Sequence, residues 1–231
     1  MMQLCGLQKL TLLDFPGKMA CTVFTGGCDF RCPFCHNASL VLRPGEGAEL
    51  PEAEFFAFLH KRTGLLDGVC VTGGEPLLNP ELPEFLAKIR ELGYLVKLDT
   101  NGSFPDRLGA ILAAGLADYV AMDVKAGRAN YRAAAGCPEL ETERISRSIR
   151  LLTGGQTGYE FRTTVVKGLH TQADFTDLAA WLAGAERYFL QGFVDSGDLI
   201  GTGYAAFSPA EMRAFLAIVQ QTVPNAELRG I

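Results

Sequence analysis

The sequence predicts an α/β fold, in which parallel strands form a sheet that is covered by outer helices. Three observations support this prediction: short apolar runs of strand length recur along the chain, stretches with helical spacing of apolar residues separate them, and the two alternate about six times. With 231 residues and 48% hydrophobic composition, the chain can bury a large core. We expect a single domain over residues 1–231, with the sheet either curved into a partial barrel or opened as a doubly wound sheet.

The strands are predicted from short apolar runs that are typical of buried parallel strands. In chain order they are Cys21–Phe24, Val69–Thr72, Leu95–Leu98, Tyr119–Met122, Phe161–Val166 and Tyr188–Leu190. The helices are predicted where apolar residues recur at helical spacing. In chain order they are Glu52–Arg62, Pro80–Leu92, Asp106–Ala114, Glu141–Leu152, Ala173–Leu182 and Pro209–Gln221. In such a fold the functional residues are expected at the carboxyl ends of the strands.

Charge and hydropathy exclude two classes of partner. The formal net charge is −5, and no block of lysine and arginine could neutralise a row of phosphates, so we expect no nucleic acid. No apolar run reaches membrane-spanning length, and residues 1–6 show no basic region followed by an apolar stretch. We therefore expect a cytoplasmic protein without a membrane contact.

Three cysteines in the loop after the first predicted strand are the most informative feature of the chain. Cys28, Cys32 and Cys35 are separated by three and then by two residues. Thiolates this close can each bind one iron of a 4Fe–4S cluster, and three ligands leave one of the four irons open. Because an open iron can bind a small molecule and pass it electrons, the loop predicts one cluster with a catalytic role.

Two other interpretations of the cysteines are weaker. A structural zinc site normally has four ligands in two pairs, whereas His36 directly follows Cys35 and no second pair follows it. A disulfide framework is disfavoured because the seven cysteines are an odd number and no secretory signal precedes them. The remaining cysteines are interpreted as ordinary residues: Cys5, Cys21, Cys70 and Cys137. Of these, Cys21 and Cys70 are expected in the core, as small residues of strands.

Polar and glycine-rich segments follow the next predicted strands. Gly73–Pro76 could let the backbone approach a ligand while Glu75 accepts from an ammonium group, although the same residues suit a strand-to-helix turn. Asp99–Gly102 could add a carboxylate or serve only as a turn and helix cap. Asp123 and Lys125 are two residues apart on an extended segment, so both side chains should point to one face.

Arg162 is a charged residue in an otherwise apolar predicted strand. A buried arginine needs an anionic partner. That partner could be a bound ligand, or it could be Glu160 or a residue of a neighbouring strand in a purely structural ion pair.

These residues carry a resemblance to a known family. The cysteine loop, with its aromatic Phe34 before the last cysteine, and Gly73–Pro76 together resemble the radical S-adenosylmethionine (radical SAM) superfamily. Within it, Gly6–Lys9, Asp14–Lys18 and Phe30–Asn37 resemble the activating proteins of glycyl radical enzymes, most of all those of anaerobic ribonucleoside-triphosphate reductase. The likeness extends over nearly the whole chain, and activators of pyruvate formate-lyase share several of these motifs.

The resemblance implies a reaction and its cofactors. A reduced 4Fe–4S cluster would cleave S-adenosyl-L-methionine that is chelated to the open iron, and the resulting 5′-deoxyadenosyl radical would take a hydrogen atom from one glycine of a partner enzyme. Because Asn37–Asp67 contains no further cysteine, one cluster is expected. An external electron donor of the flavodoxin or ferredoxin type is then required.

The resemblance also implies which residues contact the cluster and each part of S-adenosylmethionine. The cluster ligands are Cys28, Cys32 and Cys35. The backbone around Phe34 and His36 matches the adenine contact. The residues that match the contact to the methionine amino group are Gly73, Gly74 and Glu75. Those that match ribose and carboxylate contacts are Asp123, Lys125 and Arg162. Asp99 with Asp123 resembles a monovalent-cation site.

One departure from the formate-lyase activators concerns the last predicted strand. Those activators carry a histidine near the adenosyl group after this strand, whereas this chain has Gln191. The departure disfavours formate-lyase as the target. About six strand-helix units without an added domain predict a laterally open partial (β/α)6 barrel, which leaves room for a protein loop as substrate. The alternatives are a radical enzyme acting on a small molecule and, outside enzymes, an iron–sulfur electron carrier.

Overall fold

The computed structural model describes residues 2–46 and 49–231, so that Met1, Gly47 and Ala48 lie outside the described residues. The chain divides into two compact units, each of which is described by itself. Unit 1 comprises Met1–Asp29, Ser39–Thr100 and Asp106–Ala121. Unit 2 comprises Phe30–Ala38, Asn101–Pro105 and Met122–Ile231. The cysteine loop therefore contributes Cys28 to unit 1 and its other two cysteines to unit 2.

Unit 1 is built on parallel strands with one antiparallel strand added. Its strands are β1 (Leu4–Thr11), β2 (Ala20–Thr25), β3 (Gly68–Gly73), β4 (Leu95–Thr100) and most of β5 (Tyr119–Asp123). Its helices, two of which begin in unit 2, are α1 (Ala38–Leu42), α2 (Glu52–His60), α3 (Leu82–Glu91) and α4 (Pro105–Ala113). β1 is antiparallel to β2, whereas β2, β3 and β4 pair in parallel.

The local sequence explains these elements. β2 and β3 are buried on both faces, which accounts for their continuous runs of apolar and small residues. α3 buries the residues that recur at helical spacing, namely Leu82, Phe85, Leu86 and Ile89, and leaves its charged side chains in solvent. The core of unit 1 thus lies between the sheet and the apolar stripes of its helices.

Unit 2 repeats the alternation of strand and helix. Its further elements are α5 (Tyr131–Ala135), α6 (Thr142–Thr153), β6 (Gly158–Val165), α7 (Gln172–Trp181), β7 (Tyr188–Gly192), α8 (Pro209–Val219) and β8 (Ala226–Arg229). β6, β7 and β8 pair in parallel. Capping boxes begin α7 at Thr171 and α8 at Ser208. The longest helix has only twelve residues, and no helix within the described ranges has the length and apolar character needed to cross a bilayer.

The α/β class predicted from the sequence is confirmed, and all six predicted strands and six predicted helices are present with ends shifted by at most three residues. Besides a short 3₁₀ helix, four strands and α-helices of the described part of the chain were missed. β1 is an exposed strand with mixed polarity that pairs antiparallel, so it lacks the apolar run of a buried parallel strand. β8, α1 and α5 have only four or five residues, which is too short for a periodic pattern to be recognised.

Candidate functional site

The segment that precedes Cys28 is held by the glycine turn after β3. The amide of Gly74 donates to the carbonyl of Thr25 at 2.9 Å, and the amide of Glu75 donates to the carbonyl of Gly27 at 2.8 Å. A Cβ atom on Gly74 would lie only 1.8 Å from the carbonyl oxygen of Gly27. Only glycine therefore fits at position 74, and the close backbone approach inferred from Gly73–Pro76 takes place against the protein's own cysteine loop.

Glu75 is fully buried in unit 1. Its Oε1 accepts a hydrogen bond from the amide of Leu77 at 3.0 Å, which caps the short 3₁₀ helix Pro76–Leu78, and another from the hydroxyl of Thr100 at 2.8 Å. The carboxylate thereby ties the turn after β3 to the end of β4. The contact with a methionine amino group, which the resemblance implies, stays a prediction.

The loop segment before Cys32 is held by α5, one of the elements that sequence reasoning missed. The amide of Arg31 donates to the carbonyl of Ala135 at 2.9 Å. Gly136, which ends α5 with a left-handed φ of 58°, would place a Cβ atom 2.0 Å from the carbonyl oxygen of Arg31. A second position that only glycine can occupy therefore supports the cysteine loop, this time in unit 2.

The remainder of the loop is fixed by backbone hydrogen bonds within unit 2. The amide of Cys35 donates to the carbonyl of Cys32 at 3.0 Å, so the two cysteines lie on one tight turn. The amide of Gly201 donates to the carbonyl of Pro33 at 2.7 Å and joins the loop to the connection between β7 and α8. Gly201 carries no sequence signal that could have placed it there, because the contact joins distant parts of the chain.

The thiols of the loop differ in burial. Cys32 is buried, whereas Cys28 and Cys35 are half-buried. Burial raises the pKa of Cys32 to about 11 even though the ammonium of Lys125 acts in the opposite direction, and burial also raises the pKa of Cys35. These thiols are protonated near neutral pH, so metal binding would have to displace their protons.

Asp123, Lys125 and Arg162 form a compact ion triad in unit 2. Asp123 lies between the two cations: Nε of Arg162 is 2.8 Å from Oδ1 and Nζ of Lys125 is 3.0 Å from Oδ2. Burial alone would raise the pKa of Asp123, but the two positive charges outweigh it and hold that pKa well below its usual range. Glu160, the other partner considered for Arg162, is buried and forms an ion pair with Arg229 at 3.1 Å.

Asp99 belongs to a different cluster, in unit 1. Its Oδ1 accepts a short hydrogen bond from the ammonium of Lys97, and the Sγ of Cys70 lies 3.7 Å from the same oxygen. Cys70 is buried as predicted, but its neighbours are charged. Sequence reasoning missed Lys97, although a lysine inside a predicted apolar strand is the same signal that singled out Arg162. The monovalent-cation site of Asp99 and Asp123 stays a prediction.

His170 is a further residue that sequence reasoning missed. It is buried, its Nδ1 accepts from the amide of Val166 at 3.0 Å, and its Nε2 donates to the carbonyl of Lys125 at 2.8 Å. Because one nitrogen accepts from a backbone amide, the neutral tautomer carries its proton on the other. Burial lowers the pKa of His170. The ring also packs edge-on against Phe34, with centroids 6.3 Å apart, so His170 fixes both Lys125 and the loop aromatic.

The other predicted cofactor residues also lie in unit 2. Phe34 is buried, and the ring of His36 packs against Phe193 with centroids 5.7 Å apart. Gln191 lies on β7 in register with Thr164 of β6, and its side chain is half-buried. Their contacts with S-adenosylmethionine stay predictions.

The chemistry of the donor set fits a 4Fe–4S cluster. All seven cysteines lie in the described part of the chain, and no two of them form a disulfide, so the three thiols of the loop are available as ligands. Within residues 2–46 and 49–231, no three His, Cys, Asp or Glu side chains are grouped around one metal-ion position. This does not conflict with a cluster, because each thiolate would bind a different iron.

Comparison with known proteins agrees with this chemistry. The family model "Radical SAM superfamily" matches residues 22–182, which is more than half of the chain. A protein of Methanocaldococcus jannaschii, whose name assigns it provisionally to the glycyl-radical enzyme activating enzymes, is 31% identical over 233 residues, covering 98% of this chain and 95% of the relative. A pyruvate formate-lyase-activating enzyme of Clostridium pasteurianum is 34% identical over 124 residues, covering 52% of this chain and 50% of its own length.

A solved structure shows the fold. SuiB of Streptococcus suis, solved with S-adenosylmethionine bound, has a TM-score of 0.70 at 15% identity and covers 88% of this chain, while this chain covers 48% of SuiB. The shared fold is α/β with a parallel sheet that is not closed into a barrel, which is consistent with the predicted partial barrel. The resemblance inferred from the cysteine loop and the Gly73–Pro76 turn is confirmed: the chain belongs to the radical SAM superfamily and is a radical SAM enzyme.

Proposed function

We propose that this protein installs a glycyl radical on a partner enzyme, with one 4Fe–4S cluster on Cys28, Cys32 and Cys35 and with S-adenosylmethionine as the second cofactor. The observation that carries the proposal is the three-thiol loop, which is supported in each unit by a backbone contact that only glycine permits, at Gly74 and at Gly136. When bound, these cofactors supply the one-electron cleavage that yields a 5′-deoxyadenosyl radical.

In this proposal, the protein's own residues bind and orient S-adenosylmethionine. Gly73 and Gly74 form the turn that would meet the methionine amino group, and Glu75 holds that turn in place. Lys125 and Arg162 supply positive charge for a carboxylate, while Asp123 keeps both cations in position and accepts hydrogen bonds from ribose hydroxyls.

The loop aromatics complete the proposed binding site. The buried ring of Phe34 keeps water away from the loop, and the backbone around it and around His36 offers hydrogen bonds to adenine. We further propose that Gln191 lies near the adenosyl group. The monovalent-cation site that the resemblance implies for Asp99 and Asp123 stays an untested prediction.

We propose a protein as the substrate, and anaerobic ribonucleoside-triphosphate reductase as the partner. The full-length similarity to the Methanocaldococcus jannaschii protein supports a glycyl radical enzyme as the class. The Gly6–Lys9 and Phe30–Asn37 motifs support the reductase within that class. Pyruvate formate-lyase is the second candidate, which the similarity to the clostridial activating enzyme over half of the chain favours.

The remaining components follow from the same proposal. A flavodoxin or ferredoxin delivers the electron, because the described residues outside the loop provide no second group of cysteines for another cluster. We propose that the protein acts in the cytoplasm as a single radical SAM domain over residues 1–231, bound neither to nucleic acid nor to a membrane.

The experiment is anaerobic incubation of the reconstituted protein with S-adenosylmethionine, a reductant and each candidate partner, followed by electron paramagnetic resonance. A glycyl doublet on the reductase, absent with pyruvate formate-lyase, supports the proposal, and Cys32→Ala and Cys137→Ala serve as inactive and active controls. Cleavage of S-adenosylmethionine without a doublet on any glycyl radical enzyme would instead favour a small-molecule substrate.

A further inference from the structure

A buried cation lies beside Asp99 in unit 1. The side chain of Lys97 is 1% exposed, which is rare for a lysine and requires an anionic partner. That partner is the Oδ1 of Asp99, two residues further along β4. Lys97 is in register with Cys70 on β3, and its Nζ lies 3.9 Å from the cysteine Sγ. One ammonium, one carboxylate and one thiol thus form a single cluster.

This cluster is poorly suited to a metal cation. Sodium, potassium and other hard cations bind several oxygen ligands, whereas the neighbours of Asp99 include an ammonium and a thiol. An ion placed against this carboxylate would lie within a few ångström of the ammonium and would be repelled by it. The negative charge of Asp99 is already balanced inside the protein.

We infer that Lys97 is a built-in countercharge for Asp99 and that this protein therefore needs no monovalent metal ion at that carboxylate. Lys97 is also a positioning residue: it fixes the carboxyl end of β4, where the hydroxyl of Thr100 donates to Glu75 at 2.8 Å. The inference concerns unit 1 alone and does not depend on the identity of the partner enzyme. It stands in place of the monovalent-cation site that the resemblance implied for Asp99 and Asp123.

The test compares potassium, sodium and choline chloride at equal ionic strength. The reconstituted wild-type protein is expected to have the same thermal midpoint and the same affinity for S-adenosylmethionine in all three salts. In Lys97→Met, Asp99 loses the ammonium of Lys97, so potassium or sodium should raise the midpoint above that in choline by about 2 °C or more. Lys97→Arg keeps the charge and should behave like the wild type.

Two results would overturn the inference. The first is a higher midpoint or a tighter binding of S-adenosylmethionine by the wild type in potassium or sodium than in choline. The second is an equal midpoint of Lys97→Met in the three salts. If Lys97→Met does not fold, adding Asp99→Asn to it removes the uncompensated carboxylate, and recovery of the fold in choline supports the inference. Failure of this double variant to fold contradicts it.

Discussion

The two units carry different kinds of charged cluster after their strands. In unit 1, Glu75 and Lys97 are fully buried, and their hydrogen bonds go to protein groups. In unit 2, the side chains of Asp123, Lys125 and Arg162 are 32%, 16% and 14% exposed and hold one another in an open triad. A fully buried cluster fixes backbone shape, whereas a partly exposed triad keeps contact with solvent, from which a ligand can reach its charged groups. Unit 1 therefore carries a buried cluster that fixes its own backbone, and unit 2 carries a partly exposed triad whose charges are candidates for ligand contacts.

The largest effect is expected in the cysteine loop, whose three cysteines are the proposed cluster ligands. Cys28→Ala in unit 1 and Cys32→Ala in unit 2 should each lower the iron content of the reconstituted protein from about four per chain to near zero and abolish activity, because three thiolates are the minimum set. Cys137→Ala, in unit 2 but outside the loop, is the control and should retain its iron. Wild-type iron content in either loop variant would refute the ligand assignment.

The next effect concerns the close backbone contacts of Gly74 and Gly136. Gly74→Ala and Gly136→Ala should each lower the free energy of unfolding by about 1 to 3 kcal/mol, because the new methyl group meets a backbone carbonyl that cannot move aside. The second variant also carries strain from its left-handed φ. Denaturant unfolding measures both. Gly45→Ala, whose Cβ would meet nothing closer than 3.9 Å, should be neutral, and an equal loss in this control would show that the close contacts are not the cause.

Glu75 in unit 1 and Lys125 in unit 2 are expected to differ in their contribution to the stability of the fold. Glu75→Ala and Lys125→Ala should each weaken S-adenosylmethionine binding by about 1.5 to 3 kcal/mol, as expected for a lost hydrogen bond to a charged group. Only Glu75→Ala should also destabilise the fold strongly, because it leaves the buried donors of Leu77 and Thr100 without their acceptor. Anaerobic ligand titration and thermal unfolding on the same samples distinguish the two. Unchanged affinity in both variants would remove these residues from the cofactor site.

The smallest effect concerns the pH dependence of unit 2. His170 has a lowered pKa in the folded protein, so the unfolded chain binds a proton more readily. The stability that the neutral imidazole contributes is fully present above the pKa of the unfolded chain, which is about 6.5. It is lost as the pH falls below that value towards the folded pKa. His170→Gln should therefore be less stable than the wild type at pH 7.5 and should lose less stability between pH 7.5 and 5.5. Parallel thermal midpoints of the two proteins across this range would contradict the buried neutral imidazole.

Much of the fold could be predicted because its signals are local: apolar runs and helical spacing are properties of short segments. The spacing of Cys28, Cys32 and Cys35 is also contained in one loop, so the cluster site could be proposed from the sequence. The resemblance then connected the separate motifs, and the family comparison confirms it.

What could not be predicted depends on contacts between distant residues. Gly136 is an ordinary helix-ending glycine in the sequence, and only the structure shows that it meets Arg31. His170 is a lone histidine whose two partners are backbone groups, which leave no mark in the sequence. Lys97 is the exception, since a lysine in a buried strand did carry a signal.

The most direct test of the central claim is a single assay of the wild-type protein. After anaerobic reconstitution, iron and zinc are counted and S-adenosylmethionine is added with a reductant. We expect about four irons per chain and the formation of 5′-deoxyadenosine, because three thiolates leave one iron open to that cofactor. One zinc with no iron, or four irons without any 5′-deoxyadenosine, would contradict it.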